Sequence, residues 1–184
     1  MAACLREHTP CTEFLPSGRN LTRVPANRSD PLGMTTTTHD IASVLNSLIE
    51  TCKDGQEGFR SAAENVKNTD MAALFRSYSS QRQQFASELQ SLVGTLGEGV
   101  EKSGSVAGAL HRGWIDLKAA VSAKDEHAIL AECERGEDSA VAEYRDALEH
   151  SEFPAEVHGV IARQYASVQE AHDRVRDLRD SYQK

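Results

Sequence analysis

From about residue 40 onward, apolar positions recur at steps of three and four, the period of a helix with one buried face. Ile41, Val44, Leu45, Leu48, Cys52, Phe59, Ala63 and Val66 share one face of a first helix, expected from Asp40 to about Asn68 with Thr38 or His39 as its cap. Glu50, Glu57 and Glu64 fall on the opposite face. Thr69 and Asp70 mark the cap of a second helix reaching about Leu96, striped by Met71, Leu74, Phe75, Tyr78, Phe85, Leu89, Leu92 and Leu96. Gly97, Gly99 and Gly104 make the clearest loop, and a short amphipathic helix follows over about Ser105 to Val121, with Val106, Leu110, Trp114, Leu117 and Val121 on one side. A third long helix is expected from near Asp125 to about His150, carrying Ile129, Leu130, Cys133, Ala140, Val141, Tyr144 and Leu148. Pro154 suits the first turn of a last helix, where a missing N–H costs nothing. That helix should bury Val157, Ile161, Val168, Val175, Leu178 and Tyr182.

Four long helices and one short one make an all-α chain. Helices of about 27 residues span about 40 Å. Tight turns join the first helix to the second and the third to the last, so each pair is an antiparallel hairpin. The middle connection, residues 97–124, is long enough to return along the bundle, which makes the second and third helices parallel. One long crossover of this kind is the connectivity of the ferritin-like antiparallel four-helix bundle, here with a short crossover helix between helices two and three.

The first 35 residues do not share the pattern. Pro10, Pro16, Pro25 and Pro31 interrupt them and no continuous apolar stretch suits a secretory signal, so residues 1–35 are expected to be a disordered tail and residues 36–184 the bundle. Met34 is the expected natural start, because MTTTTHD runs straight into a helix cap. The net charge is −8, with residues 1–33 at +1 and the remainder at −9. A body that acidic repels phosphate backbones, and no basic stripe interleaves with aromatics, which argues against nucleic-acid binding. No apolar run reaches the roughly 18–20 residues that span a bilayer. Of Cys4, Cys11, Cys52 and Cys133, the last two lie on apolar stripes as small hydrophobes, and no CxxC or Cys/His ligand spacing occurs. Reduced, structural thiols in a cytoplasmic protein are expected.

A ferritin-like connectivity raises the question of a carboxylate cage, which needs a Glu from each of two helices and Glu-x-x-His from each of the others, all pointing inward. The polar residues on the stripes at mid-helix are Gln56, Arg82, Glu137 and Gln164, with His172 toward one edge of the last helix. Glu57 points away from its stripe, and the residue three before His172 is Gln169. One inward carboxylate beside an inward Arg does not hold two dications. A structural layer is the coherent alternative: Glu137 and Arg82 as a buried ion pair on adjacent parallel helices, with Gln56 and Gln164 completing its hydrogen bonds. Should a lone metal site exist, Glu137 and His172 are its candidate ligands. His111, His127, His150 and His158 scatter toward helix flanks, Trp114 reads as core, and Glu132, Glu134 and Asp138 read as a solvated acidic face beside Glu137. No GxSxG, phosphate loop or Cys/His pair is present.

The segments LNSLIETCKDGQEGFRSAAENV, ALFRSYSSQRQQFASELQ, GSVAGALHRGWIDLKAAV, ILAECERGEDSAVAEYRDAL and QYASVQEAHDRVRDLRD together resemble a proteobacterial family of four-helix-bundle proteins of unknown function in the ferritin-like group. The resemblance covers about residues 38–182, with HRGWIDLK and AECERGED its most specific parts. It implies a ferritin-like bundle in the cytoplasm, supplies no catalytic residues, and hints loosely at stress association. A non-enzymatic bundle without cofactor, acting as a structural or interaction protein through an unknown protein partner or self-association, is the leading expectation. A metal-binding ferritin-like protein is the alternative.

Overall fold

Asn68 and Asp125 are where the chain commits to its second and third long helices. Each side chain folds back as an N-cap: Asn68 accepts from the Asp70 and Met71 N–H groups at 2.9 and 3.2 Å, and Asp125 from His127 and Ala128 at 3.0 and 3.2 Å. The computed structural model describes residues 31–97, 125–149 and 153–182. Within them lie four helices: α1 Pro31–Asn65, α2 Thr69–Thr95, α3 Glu126–Leu148 and α4 Ala155–Tyr182. Gly97, at φ 75°, turns the chain out of α2 in the left-handed conformation that glycine adopts without strain. Pro154 stands just before α4, its carbonyl accepting the His158 N–H at 3.0 Å. The short crossover helix expected over Ser105–Val121 lies outside the described residues, as does the expected tail up to residue 30.

α1 departs from expectation at its start. It begins at Pro31, upstream of the Thr38 or His39 cap, so the boundary expected between residues 35 and 36 falls inside a helix. A proline at the first helical position gives up an N–H that has no partner there, so the same residue that interrupts a pattern also opens a helix. The chain divides into two units at Asp30/Pro31, and the helices form the second.

α1 packs on α2 and α3, and α4 packs on α3 and α2. Both hairpins are antiparallel. Glu126 Oε1 at the start of α3 accepts the Lys67 and Asn68 N–H groups at 2.5 and 3.2 Å, so α3 starts where α1 ends and α2 begins. α2 and α3 therefore run parallel but sit across the diagonal of the bundle, and not side by side as the connectivity had suggested. In a bundle whose neighbours are all antiparallel, parallel helices must be diagonal.

The core falls into two clusters. One gathers Leu45, Leu48, Ile49, Cys52, Leu89, Val93, Tyr144, Ile161 and Val168. The other gathers Phe59, Met71, Phe75, Ile129, Leu130, Cys133 and Val175. The stripes expected from periodicity supply most of both. At the end of α4 the pattern weakens: Leu178 is half-buried and Tyr182 is exposed, because the neighbouring helices offer that last turn little to pack against. The outer face of α1 carries Arg60 between Glu57 and Glu64, exposed pairs that contribute little to stability because solvent screens them. Among the described residues no helix is long and apolar enough to cross a membrane.

Candidate functional site

Between the two apolar clusters, at mid-height, sit a guanidinium and a carboxylate. Arg82 of α2 and Glu137 of α3 have side chains only 1% exposed each, and Arg82 Nη2 donates to Glu137 Oε2 at 2.5 Å. The pair spans the diagonal of the bundle. Arg82 reaches the centre by running past Gly55 of α1, where a Cβ would stand 3.4 Å from Arg82 Cγ and 3.6 Å from Nε. Its guanidinium carbon lies 6.0 Å from the Phe59 ring centre and 5.7 Å from that of Phe85, so two π-faces line the buried cation. Nη1 donates to Gln81 Oε1 at 3.0 Å.

Two atoms of the pair are left over. Arg82 Nε and Glu137 Oε1 are buried without a hydrogen-bond partner. Nε and Nη2 form one edge of the guanidinium, and Oε1 and Oε2 are the matching edge of a carboxylate, so the pair is one half of a bidentate fork. Burial pushes the Glu137 carboxyl above its ordinary range, and Arg82, by charge and hydrogen bond, pulls it back only in part. Desolvation outweighs attraction here, as is common for ion pairs in dry cores.

A second polar chain lies nearby and links all four helices. Cys52 of α1 contacts Tyr144 Oη of α3 at 3.1 Å, Tyr144 donates to Gln164 Oε1 of α4 at 2.8 Å, and Gln164 Nε2 donates to Glu88 Oε2 of α2 at 2.8 Å. Arg163 closes the outer end on Glu88 at 2.8 Å. Burial pushes the Cys52 thiol up to about 11, moderated by the Tyr144 bond, and raises Tyr144 and Cys133 as well.

The expected four-residue layer is thus two structures. Arg82 and Glu137 meet, but across the diagonal and not on adjacent helices. Gln164 is fully buried but serves Tyr144 and Glu88 instead of the ion pair. Gln56 is only half-buried, and its backbone carbonyl accepts from Ser79 Oγ at 2.9 Å. The difference comes from helix phase: one residue step turns a side chain by 100°, and Gln56 follows the inward-facing Gly55 by one step. Glu134, expected on the solvated face, is buried and paired with Arg179 of α4. Tyr144 and Cys52 looked like ordinary apolar stripe residues. Their hydroxyl and thiol were the signal, but a partner on another helix is not visible in sequence.

His172 is half-buried on α4. Its Nε2 bonds to Asp138 at 2.8 Å, and its Nδ1 approaches Asp173 at 3.3 Å. His158 is exposed and His127 half-buried, whereas His111 and His150 lie outside the described residues. Among the described residues, no three His, Cys, Asp or Glu side chains converge as a metal would require. Among the described residues the one fully buried carboxylate, that of Glu137, already faces a guanidinium cation, and the imidazole nitrogen nearest α3 is engaged with Asp138. This donor set does not fit a di-metal centre.

Four helices in this order define a ferritin-like bundle, and comparison with solved structures agrees. A mutant of Dps1 from Mycobacterium smegmatis superposes with a TM-score of 0.66 at 17% identity, over 78% of this chain and 97% of that one. A two-domain protein from Anabaena variabilis, containing DJ-1/ThiJ/PfpI-like and ferritin-like domains, matches with a TM-score of 0.62 at 14% identity, over 79% of this chain and 37% of that one. At such identities the likeness is one of fold. Residues 40–150 match the domain of unknown function DUF2383, and the chain belongs to that family. No curated protein matches it.

Proposed function

We propose that this protein is a non-enzymatic ferritin-like bundle that acts through its surface, by binding a protein partner or a second copy of itself, inside the cytoplasm of a bacterial cell. The observation that carries this reading is the Arg82–Glu137 pair. The position where such a bundle would place inward carboxylates is filled by one carboxylate and its counter-cation, 2.5 Å apart. The two buried, free cysteines suit a reducing compartment. A part in stress responses rests on family resemblance alone.

The alternative, a metal-binding protein using Glu137 and His172, is supported by the fold and by the unpartnered Glu137 Oε1. Elemental analysis of untagged protein separates the two. The structural reading expects no stoichiometric iron, manganese or zinc. Close to one metal per chain, lost in Glu137→Ala, would replace it with the alternative. Light scattering on the same sample reports whether copies associate.

A further inference from the structure

We propose that the two polar ties of Gln164, to Tyr144 and to Glu88, select how the two hairpins pack against each other, a choice that the apolar stripes do not make. The stripes of α1–α4 are built from the same few residue types and carry no group that distinguishes one apolar neighbour from another. In the observed packing α2 and α3 are diagonal; in the other they would be neighbours, and α2 and α4 would be diagonal. Glu88 lies on the exposed side of α2, so a buried Gln164 reaches it at 2.8 Å only if α4 is the neighbour of α2. Tyr144 holds the other end of Gln164 from α3. The ion pair sits nearby at mid-height, where Arg82 passes Gly55 of α1 to meet Glu137 across the core, but neighbouring α2 and α3 could pair the same charges, so the choice falls to Gln164. Unmet, its ties leave a buried amide without partners, which penalises the competing packing. Buried polar groups act this way where they set coiled-coil register.

The test removes both ties at once and reads the arrangement instead of the stability. Spin labels are placed through Gln84→Cys on α2 and Arg135→Cys on α3, both exposed positions, in a chain with Cys4→Ser and Cys11→Ser. Pulsed electron resonance on the parent should give a single distance. In the variant Tyr144→Phe, Gln164→Leu we expect a second, shorter distance. Moving α2 and α3 from diagonal to neighbouring positions brings their axes closer by about 4 Å when neighbours sit roughly 9–10 Å apart. Backbone amide resonances of the variant should double accordingly. A single distance equal to the parent's, with one set of resonances, would overturn the proposal. So would loss of helical structure, because the ties would then be needed for folding itself and not for the choice between packings.

Discussion

Replacing Arg82 with methionine is the most informative single perturbation. Met follows the unbranched path of the arginine past Gly55 but brings no charge, so Glu137 is left as a carboxylate with no cation beside it. Both side chains are 1% exposed, so no solvent discount applies, and removing one partner of such a pair costs about 3–5 kcal/mol. At about 2–4 °C per kcal/mol for a chain of this size, the melting temperature should fall by roughly 6–20 °C. Glu137→Leu alone, which strands the guanidinium, should cost a similar amount. The double variant should lie within about 2 kcal/mol of the parent, since desolvation already outweighs attraction at Glu137 and an apolar pair needs no compensation. Urea unfolding followed by circular dichroism gives all four corners of the cycle. Small, additive effects under about 1 kcal/mol each, as at exposed pairs, would refute the claim that the pair is buried and coupled.

The two single variants should also separate by pH. In Arg82→Met the folded-state pKa of Glu137, already raised by burial, loses its counterweight; stability is then greatest below the ordinary value of 4.5 and falls as pH rises through the folded pKa, so acid should rescue this variant. Glu137→Leu should gain no such relief, because that variant has no buried carboxyl to protonate; equal pH profiles for the two would contradict this assignment. In a Cys4→Ser, Cys11→Ser chain, Cys52 and Cys133 should resist a thiol reagent until the protein unfolds, and stability should fall above pH 9.0, where the unfolded thiols lose protons that the folded ones keep; reaction at the rate of a free thiol would show the core opens. Gly55→Ala should be neutral or stabilising by up to about 1 kcal/mol, since its methyl meets Arg82 at ordinary contact distance and alanine favours helix, whereas Gly55→Val should cost about 1–3 kcal/mol by displacing Arg82; calorimetry checks both signs.

The four long helices, their order and most of their inward faces were legible in the chain because they rest on local physics: a 3.6-residue period, capping side chains and the missing N–H of proline. The same periodicity placed Arg82, Glu137 and Gln164 inside. Neighbours were another matter. That α2 and α3 face each other across the diagonal, that Gln164 bonds Tyr144 and Glu88 while Gln56 turns aside, and that Glu134 is covered by Arg179 all depend on contacts between residues far apart in the chain. Helical phase says which way a side chain points relative to its own axis, turning by about 100° between successive residues. It does not say which helix stands in that direction, and only the packed bundle supplies that.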